Sequence, residues 1–354
     1  MPETTNMEFV GNGESGPQAS GPIAQALLAN GMNINVLRPF FDSKNRPAVN
    51  QNGKAQPMTV NAILRKDEWK AIDDAVVQVQ RERLIGIQDL VSAGLTYSLN
   101  NPMASTVLEF EKMDDPGEAQ MDMDGINRGP NARPRYSLAY LPIPIIHSDF
   151  QFNSRVLAAS RTRGDPIDVT QSENASRRVA EYLENLLFTD TAYSFGTGTI
   201  YSYLSHPDRI SYTLNNAWTG STVTGEDIVV DVNTMKQKMI DNQFFGPYVI
   251  YVPTGYETAL DEDYVTNYPK TIRQRIMEIN NIQGIKVADH LAADTVIMVQ
   301  MTSNVVRLVD GMANTSVQWE SEGGMALNFK VMSIRVPQIR SDINGACGVV
   351  HASV

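Results

Sequence analysis

The amino-acid sequence predicts an α+β fold, in which helices and strands are sorted into blocks along the chain. Three observations carry that prediction. Two stretches, about Asp67 to Ala93 and Val169 to Phe188, place apolar residues at helical spacing. Between them, two strand-like segments flank 23 residues of polar, Gly- and Pro-punctuated sequence, MDDPGEAQMDMDGINRGPNARPR, the pattern of a long projecting hairpin. After Gly225 helix and strand alternate, and the last 40 residues are mostly strand.

Residues 1–64 read as an arm. They are rich in Gly, Asn, Pro and Gln, and their apolar residues come in short patches: Ala24 to Leu28, then Val36, Leu37, Phe40 and Phe41. Such a stretch buries too little apolar area to order itself, so it is expected to fold on contact with another chain, with Phe40 and Phe41 as anchors. The first helix carries Trp69, Ile72, Val76, Val79, Ile87, Leu90 and Val91 on one stripe, and Gly94 is a natural stop. The hairpin arms are Thr106 to Lys112 and Tyr136 to His147. In the second helix Ala175, Val179, Leu183 and Leu186 form the buried stripe, with Asp168 and Gln171 spaced as an N-terminal cap. Residues 191–224, rich in Ser, Thr, Tyr and Gly, suit loops and short strands. A helix over about 226–241 precedes the buried strand PYVIYV, and Thr254 with Glu257 has capping-box spacing. A helix over about 270–280 follows, then strands near 284–289, 295–301 and 304–309, and closing strands at 317–320, 326–335 and 346–351.

Composition excludes several classes of function. The 354 residues allow two or three domains, and no run of about 18 apolar residues could span a bilayer. The start, MPETTNMEFVGNGESG, lacks the basic and apolar regions of a signal peptide, so the chain is expected to stay in the cytosol where it is made. The single cysteine, Cys347, lies in an apolar run and reads as a small buried hydrophobe. A net charge of −11 without a basic block argues against gripping nucleic acid; a chain so charged more readily encloses DNA than holds it.

Catalytic and metal-binding patterns are missing. His147, His206, His290 and His351 stand singly, away from metal-ligand spacing. The segment 120–131 places Asp122, Asp124 and Gly125 as in a calcium loop, but Gln120 and Asn131 occupy the first and last ligand positions. Glu181 and Glu184, three apart, read as the solvated side of an amphipathic helix, because no Glu-x-x-His partner helix exists. FGTGTIY lacks the lysine of a phosphate loop, and no Gly-x-Ser-x-Gly elbow occurs. No catalytic residue, metal site or cofactor is expected, and the chain reads as a structural protein.

Three stretches resemble the major capsid proteins of tailed bacteriophages, a superfamily shared with encapsulin shell proteins. LRKDEWKAIDDAVVQVQRERLIGIQDLVSAGLTYSL (64–99) resembles the Trp-bearing helix that opens the folded part of these subunits. Residues 143–190 resemble their strand, small helix and long spine helix, and GPYVIYVPTGYETALDEDY with IRQRIMEINNIQGIKVADHL resembles their apical domain. The resemblance implies the tailed-phage capsid fold: an arm at 1–64, a peripheral domain from 65–112, 138–224 and 316–354, an extended loop at 113–137 and an axial domain at 225–315. It further implies a homo-oligomeric icosahedral shell, in a virion assembled in the bacterial cytoplasm, enclosing double-stranded DNA without sequence-specific binding. Portal, scaffolding and decoration proteins would be its partners. Loop residues Asp122, Asp124, Arg128, Arg133 and Arg135 would pair with neighbouring subunits, each exposed pair contributing about 0–1 kcal/mol. Some relatives cross-link a loop lysine to an asparagine; no lysine lies within 113–137, so no cross-link is expected. Encapsulins, which hold cargo enzymes, begin close to the Trp helix. The long arm here favours the phage reading over that alternative.

Overall fold

The computed structural model describes residues 85–113, 135–163 and 169–354 apart from 221 and 266–269, with positions 121 and 123 and three strands near the start. Those strands, β1 (Phe40–Phe41), β2 (Pro47–Gln51) and β3 (Lys54–Pro57), pair antiparallel with one another as a separate small sheet. Local pairing therefore occurs inside the segment expected to be an unstructured arm. Of the first expected helix, Ile85–Ser92 is described (α1) and 67–84 lies outside the described residues. It ends at Gly94, whose φ of 70° suits glycine, and leads into β4 (Thr96–Ser98).

The hairpin arms are β5 (Val107–Met113) and β6 (Tyr136–Pro142), in register from Val107 opposite Pro142 to Met113 opposite Tyr136. The expected second arm is split between β6 and β7 (Ile146–Asn153), with Pro144, which has no amide to donate, between them. Helices α2 (Ser154–Arg163) and α3 (Thr170–Phe188) follow; α3, 19 residues, is about 28 Å long. The residue capping α3 is Val169, with no side-chain capping bond, and the expected cap residue Asp168 lies outside the described residues. Short strands β8 (Tyr193–Phe195), β9 (Gly198–Ile200) and β10 (Ile210–Thr213) precede α4 (Gly225–Asp241). A capping box starts α4: the Thr224 side chain accepts from the Asp227 amide, and the Asp227 carboxylate accepts from the Thr224 amide at 2.9 Å. After β11 (Tyr248–Val252), the expected cap at Thr254 is not formed. Its hydroxyl instead donates to Asp289 at 3.2 Å, and a 3₁₀ turn runs into α5 (Glu257–Leu260).

Helix α6 (Ile272–Met277) leads to β12 (Ile282–Val287) and β13 (Thr295–Gln300). Strand β14 (Val306–Ser321) then runs 16 residues where two strands were expected, and pairs along its length with β15 (Ala326–Ile339). Register shifts between Asp310 and Thr315 absorb the polar stretch that reads as a break. Gly311 lies within that shift, where an added Cβ would meet the Cβ of Pro102 at 2.6 Å.

Two sheets organise these elements. One has the order β4-β14-β15-β7; the other, β10-β16-β13-β11-β12, is closed by β16 (Val349–Ser353), which runs parallel to β10. The second sheet thus takes strands from both sides of residues 225–315. The spine α3 sits at the junction: Val179, Leu183 and Leu187 share one buried cluster with Ile87 and Leu90 of α1, Tyr251 and Ile297 of one sheet, and Leu308 and Val331 of the other. Each such side chain contributes about 1.5–3 kcal/mol by leaving water. A second core joins Ile228, Val232, Met235 and Met239 of α4 to the other face of the five-stranded sheet. A third lies between the β5–β6 hairpin and the long β14–β15 pair.

Candidate assembly surface

The β5–β6 hairpin carries the expected contact loop, and its base packs on the long strand pair. Its inner residues, Leu108, Phe110 and Leu141, pack on Met312, Val317 and Met332 of the β14–β15 pair. At its root Lys112 is tied down: Nζ donates to Ser341 Oγ at 2.8 Å and lies 3.8 Å from Asp208 Oδ2, and Ser341 Oγ donates to that carboxylate at 2.6 Å. Beyond this tie the apolar side chains Met113, Tyr136 and Leu138 are all more than half exposed. Met121 and Met123 in the intervening loop are fully exposed. Of the expected loop contacts, Arg135 is exposed beside the root of the hairpin, whereas Asp122, Asp124, Arg128 and Arg133 lie outside the described residues. Phe40 and Phe41 form β1, paired with Ala48 and Pro47 of β2. A groove of about 390 Å³ runs between the start of β7 and the spine, lined by Pro144, Ile145, Ile146, Val179, Tyr182 and Tyr193. Ile145, Tyr182 and Tyr193 present apolar surface to solvent there.

Beneath the spine lies a polar junction that sequence reasoning missed. Glu184 was expected on the solvated side of its helix, yet it is 3 % exposed. The spine packs on two sides, against the sheets and against α1, so its buried face is wider than one apolar stripe. Glu184 Oε1 accepts from the Gly86 amide at 3.0 Å, while Oε2 is buried with no partner among the described residues. Burial pushes its carboxyl up to about 7, against the opposing pull of the Gly86 and Ile87 amides, and the charges of Asp89 and Asp289 add to the rise. Asp89, one turn along α1 and also buried, accepts from the Tyr251 hydroxyl at 2.9 Å and pairs with Lys286 of β12. The Tyr203 hydroxyl is buried without a partner, and burial together with Asp89 and Glu184 raises it far above an ordinary phenol.

His206 is buried as well. Its Nδ1 accepts from the Asp208 amide at 3.2 Å, and desolvation lowers the ring to about 4, so it is neutral at pH 7. Cys347 is a buried free thiol pushed up to about 12 by desolvation. Among the described residues, no three His, Cys, Asp or Glu side chains converge to hold a metal, and no helix is long and apolar enough to cross a membrane.

Comparison with known proteins places this architecture. The chain is 24% identical over 234 residues to the type 1 encapsulin shell protein EncA of Myxococcus xanthus, covering 66% of this chain and 71% of that protein. Its fold matches a virus-like particle from Pyrococcus furiosus with a TM-score of 0.59 at 17% identity, over 80% of this chain and 99% of that one. It also matches the capsid of Myoviridae phage XM1 with a TM-score of 0.57 at 8% identity, over 76% and 92% of the two chains. At such identities the likeness is one of fold: the α+β capsid fold shared by phage capsids and encapsulins. A model for a family of unknown function, DUF6260, matches residues 58–352, and the chain belongs to that family.

Proposed function

We propose that this chain is the major capsid subunit of a tailed bacteriophage, assembling in many copies into an icosahedral shell around double-stranded DNA. The observation that carries the reading is the capsid fold itself, in a chain whose similar proteins include a phage capsid, a virus-like particle and an encapsulin shell protein. The exposed apolar residues of the hairpin and of the spine groove are surfaces that neighbouring copies would cover, with Asp122, Asp124, Arg128, Arg133 and Arg135 supplying charge pairs of both signs. Repetition over a closed shell sums many weak contacts. A net charge of −11 suits a container for DNA, since a repulsive wall leaves packed DNA free to move. Portal, scaffolding and decoration proteins would then be partners, and no catalytic role is required.

The second reading is a nanocompartment that encloses cargo enzymes, favoured by the sequence likeness to an encapsulin shell protein. Electron microscopy with light scattering on the purified chain tests the shell, and closed icosahedral particles are expected. A homogeneous dimer or tetramer that never assembles would overturn both readings. Particles isolated from the encoding organism and treated with nuclease separate the two: protected double-stranded DNA supports the capsid, and stoichiometric co-purifying enzyme supports the nanocompartment.

A further inference from the structure

The junction of α1, the spine α3 and the five-stranded sheet is held by two buried carboxylates rather than by apolar contact alone. Glu184 reaches from the spine to the Gly86 amide, and Asp89 reaches from α1 to Tyr251 of β11 and Lys286 of β12. The helices approach closely here: a Cβ on Gly86 would meet the Phe188 ring at 2.6 Å. Two polar atoms in this cluster, Glu184 Oε2 and the Tyr203 hydroxyl, are buried without partners among the described residues. Among the described residues, the charges that act on Glu184 are both carboxylates. Asp89 acts from α1, Asp289 from the segment after β12, and Tyr251 and Tyr203 are held neutral by burial. Cys347 stays a thiol, and Lys286 is already paired with Asp89.

We propose that Glu184 is a proton-operated latch: protonated, it clamps α1 between the spine and the sheet; ionised, it loosens that clamp. The physical reason is that no cation pairs with Glu184 among the described residues. An ionised Glu184 would place an unpaired negative charge beside Asp89, whose own charge Lys286 already offsets, with only backbone amides to solvate it among the described residues. Opening the junction lets water reach the carboxylate, so ionisation favours the open form. A neutral carboxyl keeps the Oε1 acceptor for Gly86 without that cost. The latch couples the spine to the five-stranded sheet, and its operation is independent of what a shell encloses.

Hydrogen exchange on the full-length protein between pH 5.5 and 8.5, corrected for the intrinsic pH dependence of exchange, tests this. Protection of the amides in 86–92 is expected to fall by about 30-fold across that range, the factor given by moving the carboxyl from its buried to its solvated titration range. In Glu184→Gln, which keeps the acceptor and cannot ionise, protection should stay within about twofold. Asp289→Asn removes an exposed neighbouring charge that raises Glu184, and should displace the wild-type profile to lower pH. Parallel profiles in wild type and Glu184→Gln would overturn the latch. Should Glu184→Gln fail to fold, an unshifted profile in Asp289→Asn would overturn it instead.

Discussion

Removing the Lys112 ammonium should free the root of the hairpin without unfolding the subunit. In Lys112→Met the stem still packs and only the charge is lost. The donated bond to Ser341 Oγ, at 2.8 Å, is a hydrogen bond from a charged group, of a kind that contributes about 1.5–3 kcal/mol. The contact with Asp208 is longer, at 3.8 Å, and both side chains are more than a quarter exposed, so screening leaves it at about 0–1 kcal/mol. Taking the lower part of the first range for a half-buried site, the two together come to about 2 kcal/mol. Because β5 and β6 pair only with each other, the loss falls on local opening, which should become about 30-fold more populated. Chymotrypsin reads that population through cleavage after Phe110, Tyr136 or Tyr140, under conditions where opening and closing outrun cleavage. Nicking should quicken about 30-fold in Lys112→Met and substantially less in Lys112→Arg, which retains a charged donor. Equal nicking rates in Lys112→Met and wild type would refute the reasoning and leave apolar packing as what holds the hairpin.

Leu183→Ala should cost about 3 kcal/mol, since the side chain is fully buried where the spine meets both sheets; the urea midpoint falls while the slope of the transition is unchanged. Cys347, 1 % exposed with its thiol pushed up to about 12, should resist iodoacetamide at pH 8 in the native chain and react fully in denaturant. Glu184→Gln should lose stability as pH falls from 6.5 to 4, and His206→Asn should lose stability as pH rises from 4.5 to 7. Urea unfolding at fixed pH reads both slopes, and the wild type, which keeps both groups, should fall between the two variants.

The spine was legible because Ala175, Val179, Leu183 and Leu186 announce one buried face by their spacing alone. Glu184 was not, because its burial depends on α1, which donates to it from 98 residues away. A period of 3.6 marks the face toward the sheet and says nothing about a second neighbour. The same holds for Lys112, whose partner Ser341 is 229 residues distant. In β14, Gly311 and the polar run Asn314 to Ser316 read as a break between strands, but bulges against β15 keep one strand continuous. For the loop residues Asp122, Asp124, Arg128 and Arg133 the difficulty is different. Contacts between copies impose no periodicity on a single chain, so the sequence marks such residues only by their charge.

Glu184 and His206, two of the buried titratable groups, act in opposite directions, and the signs decide what can be seen. Glu184 has a folded value of about 7 against an unfolded value near 4.5, so its contribution is fully present below 4.5 and is lost as pH rises through 7. His206 has a folded value of about 4 against 6.5, so its contribution is present above 6.5 and is lost as pH falls through 4. Each swing is about 3 kcal/mol at about 1.4 kcal/mol per pH unit. Near pH 5.7 Glu184 has lost about half of its contribution and His206 about a third, so the sum of these two stays nearly level between 4.5 and 7. A flat stability profile in the wild type is therefore no sign that the carboxylate is inert. The two sites are separate, His206 beside Asp208 at the hairpin root and Glu184 beneath the spine, so one substitution removes one limb of the balance and exposes the other. Were both single variants to follow the wild-type profile, the burial of these two side chains would carry no titration energy, and the latch would lose its driving force.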